Sequence, residues 1–153
     1  MKPLISRGDA AERVTLPGGA FHLLADAGHT HGALGANRLT LGVGASGAKK
    51  HYHAKSTELF YVLDGELDFL LGDGDTPTRV SRGDLVVIPP GLAHAFGAAP
   101  GSTADLLAVL TPGVERFGYF RQLGRIQRGE AEFESLHADQ DRYDVHFVTP
   151  QRS

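Results

Sequence analysis

Four polar side chains set in β-forming sequence restrict this chain more than any other feature. His51-Tyr52-His53 is followed by Glu58, and His94 closes a later stretch that is broken by Pro89-Pro90-Gly91. Side chains alternate faces along a strand, so His51 and His53 point the same way. Glu58 has the opposite parity. A turn or bulge in the polar segment Ala54-Lys55-Ser56-Thr57 must therefore reset the phase if Glu58 is to meet the histidines from a neighbouring strand. His94 follows the proline-glycine break and starts a third strand. In a closed sheet the inward residues of several strands meet near the axis, so four ligands from three strands are feasible. Three imidazoles and a carboxylate suit one divalent transition metal: iron, nickel, cobalt, manganese, copper or zinc. Calcium and magnesium prefer all-oxygen shells. Four protein ligands leave coordination positions open, as a catalytic centre requires.

The surrounding sequence supplies the strands. Arg38 to Leu41, Glu58 to Leu63, Glu66 to Leu71, Thr78 to Val80, Leu85 to Ile88, Ala93 to Phe96 and Asp105 to Thr111 are short β-forming runs between turn residues. Asp64-Gly65 reads as the tight turn of a hairpin. This pattern predicts an all-β sandwich or barrel. The chain end differs. Val114, Phe117, Phe120 and Leu123 recur every three residues, which predicts a helix from Pro112 to Leu123 ended by Gly124. Gly129 to Arg142 suits helix or loop, and Tyr143 to Thr149 alternates as a final strand.

Composition narrows the classes. The 153 residues predict one domain, with a barrel core at about 36–111 and a C-terminal helix and strand at 112–149. No cysteine is present, which removes disulfides and thiolate metal sites and predicts a cytoplasmic location. The N-terminal residues lack the apolar core of a secretory signal. A net charge of −3 and the lack of long apolar runs argue against nucleic-acid and membrane partners.

The spacing resembles the cupin superfamily. His51, His53, Glu58 and Gly65 match its first motif, although the opening glycine is displaced, with Ala45 at the expected position. Gly83, Pro89, Gly91 and His94 match the second motif, with Ala98 where an asparagine often stands. The segments LPGGAFHLLADAGHTHGALG, ELFYVLDGELDFLLGD, LTPGVERFGYFRQLG and RYDVHFVTP are similar to small bacterial cupins grouped with quercetinase-type dioxygenases. The resemblance implies an antiparallel jelly-roll barrel with a short C-terminal helical segment, and a homodimer. It implies a His51, His53, Glu58, His94 metal shell and a dioxygenase acting on a small aromatic enol or flavonol-like substrate, with dioxygen as co-substrate. Glu58 would be both ligand and proton acceptor. The alternatives are a metal-dependent isomerase or polyketide-type cyclase without oxygen, and a non-catalytic small-molecule-binding cupin.

Other features read more plainly. Phe60, Phe69 and Phe96 suit either the apolar wall of a substrate pocket or plain core. Gly42 to Gly47 matches a dinucleotide fingerprint but leads into strand rather than helix, so it reads as a loop. His29-Thr30-His31 lacks a following carboxylate and reads as solvated loop, or as lining at the barrel mouth. Tyr52 and Tyr61 should face away from the metal.

Overall fold

The computed structural model describes residues 2–148. Ten antiparallel strands form a curled sheet: β1 Glu12–Leu16, β2 Gly19–Ala25, β3 Gly35–Leu41, β4 Ser46–Tyr52, β5 Thr57–Leu71, β6 Thr78–Ser81, β7 Leu85–Ile88, β8 His94–Ala98, β9 Ala104–Thr111 and β10 His146–Phe147. Pairing runs β1-β2-β3-β9-β5-β8-β4-β10, with β6 and β7 each joined to β5. The fold is mostly β, with short C-terminal helices, as the turn-punctuated sequence predicts.

β5 holds the two walls together. Its first half pairs with β9 and β7, and its second half with β8 and β6. The hairpin expected at Asp64-Gly65 does not form; the chain runs straight through as one strand of 15 residues. The strand bulges just before this pair instead: the register against β9 slips at Leu63, between Val62 and Asp64, and Asp64 and Gly65 then pair with Asp105 and Ala104. Gly65 has φ +76°, and a Cβ there would collide with the Thr103 carbonyl, so glycine is required twice over. The bulge flips the inward parity. Glu58, Phe60 and Val62 are buried before it, and Leu67 and Phe69 after it. One strand therefore lines the interior on both sides of a bend.

The interior is filled by alternate residues. Leu39 and Leu41 of β3 and Leu106, Ala108 and Leu110 of β9 face inward, as period-two sequence dictates. Phe60, Phe69 and Phe96 form a triangle, with ring centroids 5.1–5.3 Å apart. β1 and β2 extend the sheet beyond β3; neither stands out among the local sequence patterns.

The C-terminal region differs in detail from expectation. Helix α1 spans Phe117–Gln127 rather than 112–123, and it runs through Gly124. Its start is set from afar: the Asp26 carboxylate accepts hydrogen bonds from the backbone N–H groups of Arg116 (2.7 Å) and Phe117 (3.0 Å). This remote cap does what a local N-cap side chain would do. Gly124 lies against Val14 of β1, where a Cβ would clash, so close packing rather than termination explains that glycine. A 3₁₀ segment, Phe133–Asp139, and a short α2, Gln140–Tyr143, follow. Of the expected strand from Tyr143 to Thr149, only His146–Phe147 is strand; Tyr143 belongs to α2 and Thr149 lies outside the described residues. No helix among the described residues is long and apolar enough to cross a membrane.

Candidate metal centre

His51 lies near the end of β4, opposite His94 at the start of β8, with which it is in register. His53 follows immediately after β4, where the Gly91 N–H donates to its carbonyl at 2.7 Å. The Pro89-Pro90-Gly91 turn thus clasps the loop that carries a candidate ligand. Ser56, donating to the Pro112 carbonyl at 2.8 Å, fixes the same loop from the other side. Glu58 sits one residue into β5. The phase reset expected between His53 and Glu58 is this non-strand segment. All four side chains are buried, and one ligand atom from each lies within 4.8 Å of the others.

The hydrogen bonds around the imidazoles set their tautomers. His51 Nδ1 contacts the Lys49 carbonyl at 2.7 Å, His53 Nδ1 the Asp144 carbonyl at 2.7 Å, and His94 Nδ1 the Leu92 carbonyl at 3.0 Å. A carbonyl can only accept, so each Nδ1 carries the proton and each neutral ring keeps its lone pair on Nε2. Second-partner bonds of this kind orient metal-binding histidines. His53 Nε2 and His94 Nε2 then face Glu58 Oε1 at 3.1 and 3.3 Å. Lone pairs facing a carboxylate repel unless a proton or a cation lies among them. The donor set is therefore consistent with one metal ion.

Burial pushes the Glu58 carboxyl up, but hydrogen bonds from His53 and His94, made when their Nε2 atoms carry protons, together with the charge of Arg116 outweigh this and hold it well below the usual carboxylate range; a cation in place of those protons would keep it ionised in the same way. Burial, reinforced by repulsion from His94 and His53, pushes His51 down to about 3, so the ring is neutral at ordinary pH and ready to donate electrons.

Two residues of the candidate site are invisible to sequence spacing. Arg116 is buried, and its Nη2 donates to Glu58 Oε2 at 3.2 Å. The carboxylate thus presents one oxygen to the histidines and the other to a guanidinium. Acting as a proton acceptor would cost Glu58 one of these contacts. Asp144, in a left-handed conformation (φ 51°), supplies the carbonyl for His53, while its carboxylate accepts from the N–H groups of Ala54 and Lys55 at 2.8 and 3.0 Å. It pins the loop from the far end of the chain. No local periodicity marks either residue.

A cavity opens beside His51 and Glu58. Phe21, Leu39, Phe60, Phe96, Leu106 and Phe120 form its apolar wall. Asn37, Arg116 and Tyr119 add polar groups, and Lys49, Gln127 and Phe133 stand among the lining residues toward the C-terminal helices. Of the three phenylalanines named from sequence, Phe60 and Phe96 line the cavity. Phe69 does not: it is fully buried and packs against the other two rings as core. Tyr52 turns outward and stacks on His146, with centroids 5.0 Å apart, and Tyr61 is exposed. His29 is not part of the centre; its Nδ1 accepts from the Asp26 N–H at 2.9 Å and closes a capping box. Gly42 to Ala45 forms the turn leading into β4, so the glycine-rich stretch is a loop that continues into strand.

Residues 37–110, just under half of the chain, match the family model described as a cupin domain. Solved structures share the fold. KdgF from Halomonas sp. is 22% identical over 71% of this chain and 94% of its own, with TM-score 0.59. An RmlC-like cupin from Shewanella frigidimarina is 21% identical over 76% and 96%, with TM-score 0.62. A cupin-superfamily sugar phosphate isomerase from Silicibacter pomeroyi is 23% identical over 71% and 75%, with TM-score 0.60. At this identity the likeness is one of fold. No curated protein matches in sequence.

Proposed function

We propose that the chain is a metal-dependent dioxygenase acting on a small, largely apolar aromatic enol. The observation that carries this reading is the pairing of an oriented three-histidine, one-glutamate donor set with an apolar, aromatic-walled cavity. A divalent transition metal held by His51, His53, Glu58 and His94 would polarise a substrate oxygen and, if redox-active, exchange electrons with dioxygen. The protein's part is to orient and to exclude water. Backbone carbonyls fix the three rings, Arg116 fixes Glu58, and the phenylalanine wall holds an aromatic ring beside them. Among the described lining residues, Glu58 is the sole carboxylate and His51 the sole imidazole, and both are engaged. A reaction on an enol that is already acidic asks least of such a wall.

The second reading is non-oxidative isomerisation or cyclisation. Tyr119 favours it, because a phenol hydroxyl in the cavity lining can hydrogen-bond and polarise a substrate carbonyl. The isomerase among the structural neighbours fits the same idea. Oxygen consumption separates the two. Protein reconstituted with iron, nickel, cobalt, manganese or copper should take up oxygen with at least one member of a panel of aromatic enols. No uptake across the panel, together with isomerised or cyclised products, would eliminate the oxygenase.

A further inference from the structure

Arg116 carries more hydrogen-bonding capacity than its one ion pair uses. The residue is 7% exposed and lines the cavity, yet among the described residues its guanidinium donates to a single acceptor, Glu58 Oε2. A guanidinium has five N–H donors in a planar fork that matches a carboxylate. Phe120 stacks near it, with its centroid 5.1 Å from the guanidinium carbon, and helps hold the plane in place. Two more polar groups share the cavity. The Tyr119 hydroxyl stays a donor because burial and the nearby Glu58 push its pKa up against the opposing charge of Arg116. The Asn37 side chain is buried, lines the cavity and has no side-chain hydrogen bond among the described residues.

Charge points the same way. With a divalent cation on the four ligands, Glu58 and Arg116 cancel one another, and the ion's charge is left facing an apolar cavity. Uncompensated buried charge is costly, so the cavity favours an anionic occupant. We propose that the substrate carries a carboxylate on its apolar frame and that Arg116, assisted by Tyr119 and Asn37, receives it. This deepens the dioxygenase reading and rests on it for the charge argument, while the unused donors of the guanidinium stand without it.

The test compares 2-naphthoate with its neutral isostere 2-naphthamide by calorimetric titration, on metal-loaded and chelator-treated protein, with metal content measured in parallel. Metal-loaded wild type should bind the naphthoate at least 10-fold more tightly than the amide. Arg116→Gln should abolish that preference while leaving the affinity for the amide within about 2-fold, and Arg116→Lys should keep only part of it. Tyr119→Phe, which removes one oxygen, should weaken naphthoate alone by roughly 3- to 10-fold; this variant keeps the proposal testable if Arg116→Gln unfolds. Equal affinity for acid and amide in wild type, or a wild-type preference retained in both Arg116→Gln and Tyr119→Phe, overturns the proposal even where metal occupancy is full. If wild type takes up no metal, the metal-enzyme reading falls. An Arg116-dependent preference in metal-free protein would then still uphold the carboxylate subsite, and its absence would end it.

Discussion

At the scale of single residues, the centre works by giving each polar atom one assigned partner. Three Nδ1–H groups go to backbone carbonyls, which leaves three Nε2 lone pairs for an ion. His51→Ala or His94→Ala removes one of four donors and should lower metal content to roughly a tenth or less of wild type by elemental analysis; wild-type occupancy in both would refute the ligand assignment. Asp144 offers a test with pH. Burial raises its pKa, but the N–H groups of Lys55 and Ala54 and its contacts with His146 and His53 outweigh that and lower it. A carboxyl depressed on folding adds stability that is complete above its unfolded value of about 3.9 and is lost as pH falls through the folded value. Asp144→Ala should therefore cost about 1.5–3 kcal/mol near neutral pH in urea unfolding, the range for hydrogen bonds to a charged group. The gap from wild type should close at the acid end, below about pH 4. A gap independent of pH would show that the carboxylate is not the source.

At the scale of elements, β5 is the decisive piece. It carries Glu58 and Phe60 on one side of its bulge and Phe69 on the other, and it pairs with four other strands. Beside this bulge Gly65 takes positive φ, and the adjacent Thr103 carbonyl leaves no room for a side chain. Gly65→Ala should destabilise by at least about 2 kcal/mol in urea or thermal unfolding, since it adds a clash to backbone strain. A change below about 0.5 kcal/mol would mean that the bulge is soft. α1 shows the same dependence on distant partners: its first N–H groups are satisfied by Asp26, 90 and 91 positions away from Arg116 and Phe117. That cap also seats Arg116 beside Glu58, so the element boundary and the site geometry have one cause.

At the scale of the whole molecule, the curled sheet has an inner face that holds the centre and an outer face that is unusually apolar on one side. Tyr61, Leu63, Leu85 and Val87 are exposed there, with Tyr61 and Leu85 directly opposed across β5 and β7. Clusters of this kind mark association surfaces, and the resemblance to cupins implies a homodimer. Light scattering should report twice the chain mass of 16.3 kDa. Leu85→Asp combined with Val87→Asp should shift the protein toward monomer without loss of far-ultraviolet signal. A monomeric wild type at high micromolar concentration would show that the apolar face serves something else.

Much of this was legible in the order of residues. The candidate ligands, their spacing and the strand nature of their surroundings come from local chemistry: period-two alternation, turn residues and a donor set that suits one class of ion. The residues that finish the centre could not be read the same way. Arg116 is 58 positions from Glu58, and Asp144 is 91 from His53. Contacts across such separations leave no local pattern. Asp64-Gly65 shows the limit most clearly, because a glycine at positive φ suits a tight turn and equally suits the bend in this continuous strand. Only the strands available to pair on either side determined which one formed. The sequence alone determined which atoms could bind a metal; the tertiary structure decided what orients them and what shares their cavity.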